Sequence, residues 1–398
     1  MLGLPYIYKS AGWIGGTFVS LIFSAVTWRT SILLGRELNG DSRPGALFDE
    51  SNPNGLDKNS RMRKGLTSFP HIAREAFGQL GTIILSFALY FELFSCLCIF
   101  FVTLGDHLHQ LFPGISVTHH MVHIAFILAI PTALLRTPRL LSYLSTVGTV
   151  ATACVVFAVF FSGFTLGDVS KEVANEKGTE VTSSTHILWQ TNGLPLAFGL
   201  IAYTFSGHAI VPAIYTSMQR PQDYEKMITM TYLAVTICCF IVAISGYYIF
   251  GTEVEDQITL SLADYCGSED IMIKGLTWLM IMTAFSKFTL TAFPLALGVE
   301  EILAPIVPTD YIMEWVSSLI KIALIAASLA VAIYVPSFSF LCSLVGLICT
   351  MIVSVIFPAG AHLKMFGPHL PLWEKILDWF FIFGGTVMSI IGTIQAIQ

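Results

Sequence analysis

Two ionisable side chains stand where such groups are rare: Glu92 is central in the apolar run 81–104, and Lys287 lies near the middle of 272–298. A charge at mid-membrane depth costs at least about 2.5–3.5 kcal/mol, so residues of this kind mark ion or proton paths or act as buried structural anchors. Both readings stay open here. On a helix, Glu92 shares a face with Ala88, Ser95, Cys96 and Thr103, all small or polar, which makes that face interior. Lys287 is flanked on its own face by Ala284 and Thr291, with Thr283 and Ser286 nearby. A buried ammonium does electrostatically what a bound cation would do, and burial lowers its proton affinity toward a range that titrates. Glu92, Lys287 and Thr291 are therefore the candidates for an ion or coupling site.

A different chemistry is written into the run 193–217, whose centre reads Ala202-Tyr203-Thr204-Phe205-Ser206-Gly207-His208. Glycine tolerates non-helical angles, and flanking hydroxyls satisfy the backbone groups that a local unwinding frees. An opened turn presents bare amides and carbonyls, and amides at a half-helix start suit a carboxylate. That is a design for seizing an amino acid; a mildly kinked packing helix is the plainer alternative.

Other candidates carry less. His107, His109, His119, His120 and His123 cluster around the connection between 81–104 and 120–136 and read as part of a solvated loop rather than a metal site. Arg29 and Lys321 fall near the cytoplasmic ends of their runs and read as snorkelling anchors, and Lys9 sits at a helix end. The eight cysteines lack the paired spacing of a zinc site or disulfide framework, and seven lie inside apolar runs as packing residues. No nucleophile with a matching base and no phosphate-cradling glycine loop is found, so neither an enzyme nor a cofactor is expected.

The elements that position these residues follow from composition. Of 398 residues, 55% are hydrophobic and only 12% charged, where soluble domains carry roughly 25%. That charge cannot coat a globule but suffices for loops between membrane helices. The net charge of −6 gives no footing for nucleic acid. A spanning helix needs about 20 mostly apolar residues, and ten such runs occur: 13–35, 81–104, 120–136, 139–164, 193–217, 227–250, 272–298, 313–334, 338–363 and 375–397. Internal Gly or Pro makes 193–217 and 338–363 the ones to bend or break. The chain reads as an all-α polytopic membrane protein with one transmembrane domain over 1–398. Residues 1–12 read as the end of a helix whose first half is missing. A polar loop, 39–68, and an acidic one, 165–190, are the longest connections.

Lys and Arg set the orientation. Alternate loops carry Arg36, Arg43, Lys58, Arg61, Arg63, Lys64 and Arg74, then Arg136 and Arg139, Arg220 and Lys226, and Lys364 and Lys375; the opposite loops carry only Lys171, Lys177 and Lys274. Loop 39–68 is thus expected in the cytoplasm and 165–190 on the far side.

An internal echo accompanies this pattern. Leu4-Pro5-Tyr6-Ile7-Tyr8-Lys9-Ser10 parallels Val211-Pro212-Ala213-Ile214-Tyr215-Thr216-Ser217, each closing a helix before a turn. Inverted-repeat transporters bind substrate where the first helix of each half is broken.

Leu2-Gly3-Leu4-Pro5-Tyr6 with Ala11-Gly12-Trp13 resembles the end of the first helix of the amino acid/auxin permease family. Leu194-Pro195 through Tyr203–His208 to Pro212–Met218 is similar to that family's sixth helix. Tyr90-Phe91-Glu92-Leu93 resembles its third, and Ser286-Lys287-Phe288 with Pro294 its eighth. The likeness covers essentially the whole chain and is nearest the vacuolar and vesicular branch, including the vesicular inhibitory amino acid transporters. It implies a leucine-transporter-type inverted repeat, five helices plus five plus one, with the first helix truncated in its N-terminal half. It implies alternating access, amino acid substrates, proton coupling, and a vacuolar, lysosomal or vesicle membrane rather than the plasma membrane. It places substrate near Gly3, Leu4, Thr204, Ser206 and Gly207, and gives Lys287 the position where sodium-dependent relatives hold an ion. A transport-inactive amino acid sensor or scaffold of the same fold, or a truncated non-functional homologue, is the alternative.

Overall fold

Helix boundaries follow the apolar runs. The structure, a computed structural model, describes residues 2–39, 68–134, 138–176, 185–267, 270–303 and 310–397. Each of the ten runs is helical where described, apart from the breaks given below, and no strand occurs among the described residues. Eight helices there are long and apolar enough to cross a membrane, and two shorter apolar ones cover Val117–Ala129 and Leu194–Ile210. Large apolar side chains such as Phe87, Phe126, Phe164 and Phe383 are exposed. With no water to satisfy backbone groups in lipid, helices with an apolar exterior are the expected solution.

In chain order the long elements are α1 (Leu4–Asn39), α2 (Phe69–Leu111), α3 (Val117–Leu134) and α4 (Pro138–Leu166). A short α5 (Ser170–Glu176) lies inside the acidic connection 165–190, where only loop was expected. The broken pair α6 (Leu194–Thr204) and α7 (Val211–Ser217) precedes α8 (Tyr224–Phe250) and α9 (Ile258–Cys266). Then come α10 (Ile271–Leu303), α11 (Asp310–Tyr334), α12 (Phe338–Val345), α13 (Phe357–Phe366) and α14 (Leu372–Ile397). Between α12 and α13 the backbone widens to π-helical bonding over Gly346–Ile356, so run 338–363 is deformed rather than cut. The basic loop 39–68 lies outside the described residues except at its two ends.

The helices group into two compact units. The first comprises Met1–Trp13, Tyr90–Gln190 and Phe240–Cys342; the second comprises Ile14–Leu89, Thr191–Cys239 and Ser343–Gln398. Within the first, α10 packs along α4 and α3, and α11 along α3. Within the second, α14 and α6 both pack on the π segment.

Gly12, whose φ of 80° and ψ of 173° interrupt α1, belongs to the first unit, whose opening segment ends at Trp13. Segment 187–190 bridges the interruption: Trp13 N–H donates to the Ile187 carbonyl and Gln190 N–H to the Ala11 carbonyl, both at 3.0 Å. A Cβ on Gly12 would lie 2.7 Å from the Leu188 carbonyl and the Trp189 nitrogen. Strain of this kind is worth on the order of 1–3 kcal/mol. Gly12→Ala is expected to lower stability by roughly that amount, read as a drop in detergent melting temperature; Gly275→Ala, with open space around it, should melt like the parent.

Candidate functional site

The break in run 193–217 is where the sequence puts it. α6 ends at Thr204, the chain leaves helical geometry over 205–207, and a single 3-10 turn (His208–Ile210) leads into α7. Phe205 and Ser206 close the end of α6 by donating to the Ile201 and Tyr203 carbonyls. Gly207 adopts φ −143° and ψ −1°, and a Cβ built on it would meet no atom within 4 Å. The opened turn therefore borders free space.

That space is a cavity of about 200 Å³ within the second unit, below the roughly 300–1,000 Å³ of pockets for drug-sized ligands. Thr204, Ser206 and Gly207 all line it, as do Ser31 of α1 and Thr231 and Tyr232 of α8. Ile210, Ile214 and Val235 make its apolar wall. The Thr204 hydroxyl donates to the Leu200 carbonyl at 2.8 Å, so it satisfies its own helix.

Behind the break runs a buried chain of hydroxyls and one imidazole. His208 Nε2 lies 2.9 Å from Thr30 Oγ1 and 3.1 Å from Ser31 Oγ, and Ser31 Oγ lies 2.8 Å from Tyr232 Oη. His208 is 1% exposed. These bonds pin the start of the resumed helix to α1 and α8. Sequence reasoning did not single out Ser31, Thr231 or Tyr232. The signal was available in part, because Thr27, Thr30 and Ser31 put three hydroxyls on one face of an otherwise apolar run.

Gly3 and Leu4 belong to the first unit. Leu2 and Gly3 form a turn ahead of α1; the Leu2 carbonyl accepts from Ile258 N–H at 3.2 Å and the Gly3 carbonyl from Ile7 N–H at 3.3 Å. Leu4 is 1% exposed, so its side chain is core and only its backbone is left to meet a ligand. Lys9 donates to the Val254 carbonyl at 2.8 Å and lies 5.1 Å over the Tyr6 ring.

The two intramembrane ionisable residues part company. Glu92 is buried, as are Ala88, Ser95 and Thr103 of the face expected to be interior. Lys287 is not buried: its side chain is exposed, while Ala284, Ser286 and Phe288 beside it are enclosed. The packed face of α10 is carried by those neighbours, and Lys287 projects off it. Thr291 donates its hydroxyl to the Lys287 carbonyl at 2.9 Å. In the first unit α2 and α10 run antiparallel in contact, with Phe101 edge-on to Phe288 at 5.1 Å and Tyr90 against Gly298. That register sets Glu92 and Lys287 about nine residues apart in height, or roughly 14 Å along the axis. They are separate sites and not a pair.

Three further expectations change. Arg29 does not snorkel: it pairs with buried Glu374 at 3.2 Å, and Lys321 is 6% exposed. Nor are all the histidines around 107–123 solvated. His107 is fully buried, with Nδ1 2.7 Å from the Thr103 carbonyl and Nε2 2.8 Å from Thr259 Oγ1, and His120 is 4% exposed. Side-chain partners on distant elements, Glu374 for Arg29 and Thr259 for His107, hold these two groups, which no single-run reading detects. Asp168, beside α5, is pushed up by burial but held below the usual carboxylate range overall by bonds from Ser170 and the 3.3 Å contact to His186. All eight cysteines are free.

Comparisons with known proteins agree with this geometry. Residues 55–398 match the family described as transmembrane amino acid transporter protein. Amino acid transporter AVT1C of Arabidopsis thaliana is 29% identical over 408 residues, covering 100% of this chain and 66% of that one. AVT1B of the same plant is 28% identical over 407 residues, covering 100% and 67%. The chain thus spans about two thirds of the length of these relatives. Among solved structures, a substrate-bound, outward-open Na⁺-coupled sialic acid symporter superposes with a TM-score of 0.52 at 14% identity, over 99% of this chain and 88% of that one. At that identity the likeness is one of fold, and it is the expected leucine-transporter type. The match over most of its length, on a helical membrane framework broken within run 193–217, makes the chain a member of the transmembrane amino acid transporter protein family, a family of transporters and not of enzymes.

Proposed function

We propose that the protein is a secondary active transporter of amino acids, proton-coupled and working by alternating access in the membrane of an acidic organelle such as a vacuole. The observation that carries this reading is the open turn at 205–207 bordering a small cavity, in a chain that belongs to an amino acid transporter family. Backbone groups of the turn and the Ser206 hydroxyl serve the polar end of the substrate, and Ile210 and Ile214 its apolar part. Gly3 and the Leu4 backbone, at the matching turn ahead of α1, are assigned to the same task by the internal echo. Glu92 is the candidate proton carrier, since a buried carboxyl on a small and polar face changes charge at modest cost when it takes a proton. Lys287 supplies positive charge near Thr291. An exposed ammonium in mid-helix has to meet water rather than lipid.

Radiolabelled amino acid uptake into proteoliposomes, with and without an imposed pH gradient, tests the proposal. The gradient should accelerate uptake, and in Glu92→Gln the ratio of the two rates should fall to unity with the protein still monodisperse. An unchanged ratio removes Glu92 from coupling. Saturable binding without flux in the parent protein would instead establish the sensor.

A further inference from the structure

At one end of the second unit, helices from four parts of the sequence enclose a cluster of charge. Arg36 of α1 lies 3.3 Å from Glu225 of α8 and 3.6 Å from Glu374 of α14, and Arg29 lies 3.2 Å from the same Glu374. His362 of α13 and Asp378 of α14 are both fully buried, with Nδ1 and Oδ2 2.7 Å apart. Glu37 of α1 is also fully buried, and neither of its carboxyl oxygens has a hydrogen-bond partner among the described residues. It feels the Asp378 charge directly. Asp378 Oδ1 and His362 Nε2 are likewise buried without a partner there.

Among the described residues the charges do not balance. Glu225 and Glu374 are answered by the two arginines, and Asp378 is bonded to His362. Glu37 is left over. A buried carboxylate with neither a counter-charge nor a donor is strongly disfavoured, and a proton on it restores neutrality. Among the described residues the surroundings offer no other remedy. From α8 come Tyr224, whose hydroxyl donates to the Ser31 carbonyl at 2.8 Å, and Glu225; from α7 comes Tyr215. Phe69, Ile72 and Ala73 of α2 bring only apolar surface, and His71, Arg74 and Glu75 of that helix are exposed. Lys226 and Lys364 are exposed and Lys375 is half-exposed. Among the described residues no group of three ligands suited to a metal ion occurs, so a proton is the fitting ligand.

We propose that Glu37, with the His362–Asp378 pair beside it, is a proton-binding site of the second unit that takes one proton from water and returns it to water during transport. Its part in transport rests on the transporter reading; the site itself does not.

Infrared difference spectroscopy of the purified protein, across the whole pH range in which it stays folded, reads the site without any substrate. The wild type should show a protonated-carboxyl band that fades as pH rises, and Glu37→Gln should lack it. Asp378→Asn, which removes the neighbouring charge, should move the midpoint of that band by about one pH unit or more, and this keeps the proposal testable should the Glu37 variant fail to fold. In proteoliposomes, Glu37→Gln should lose gradient-driven accumulation but keep amino acid exchange at equal pH. A Glu37→Gln spectrum identical to wild type, or a band unmoved across the whole range, overturns the proposal. A titrating band lost in Glu37→Gln, in a protein showing no flux at all, upholds the site and refutes the transporter reading alone.

Discussion

Gly346→Val is expected to yield no folded protein, and Gly346→Ala to lose about 3 kcal/mol or more, the upper end of the usual cost of overpacking. Gly346 opens the π segment at the place where α6 crosses it. A Cβ there would overlap the Gly199 carbonyl oxygen and stand 2.8 Å from its carbon and 2.9 Å from the Tyr203 nitrogen. These are backbone atoms in mid-helix, so no rotamer change relieves the overlap. Gly199 faces the reciprocal problem, since its own Cβ would lie 2.5 Å from the Ser343 carbonyl oxygen. The only escape is for α6 to lift away, which would uncover Ala197, Leu200 and Ile201 and loosen the start of the broken turn. Size-exclusion profiles and melting of detergent extracts should show the loss. Gly384→Ala, with nothing within 4 Å of the new carbon, should run as wild type. A Gly346→Ala protein that melts like its parent would mean that the two helices are not in backbone contact.

The contrast between these glycines shows how far a sequence speaks. Spans and the break at 205–207 were legible because they rest on local physics. A run of about 20 apolar residues has few options, and glycine flanked by hydroxyls advertises an opened turn. Of the two stretches expected to close a helix before a turn, Leu4–Ser10 runs up to the interruption at Gly12 and Val211–Ser217 forms α7 and ends with it. What the sequence hid depends on partners hundreds of residues away. Nothing local distinguishes Gly346 from Gly384, yet one meets the backbone of Gly199 and the other meets nothing. Arg29 reads as an anchor until Glu374 is brought alongside it. Lys287 reads as buried from its run alone, but exposure depends on which face of α10 the neighbouring helices take. Glu37 gave no signal at all, because at the end of a run it resembles any loop carboxylate. Its isolation is a property of the packed second unit.

Gly207→Leu is expected to fold normally and to abolish uptake, with Gly207→Ala raising the KM for amino acid by at least about tenfold, equivalent to ~1.4 kcal/mol of lost binding. The argument inverts the one for Gly346. The φ of −143° at Gly207 is one that any L-residue adopts, so a side chain brings no backbone strain. The carbon would project into open space, and the space concerned is the cavity of about 200 Å³ between the opened turn and Ser31, Thr231 and Tyr232. A methyl group there competes with a small solute for volume, and an isobutyl group fills much of what is left. Stability should therefore stay within the small range of surface substitutions, about 0.5 kcal/mol, while transport fails. Melting temperature and uptake measured on the same preparation separate the two effects. A Gly207→Leu protein that melts like wild type and transports like wild type would take the cavity out of the substrate path. Normal melting with lost uptake would tie the broken helix to the substrate, because no other change in the molecule would account for the loss.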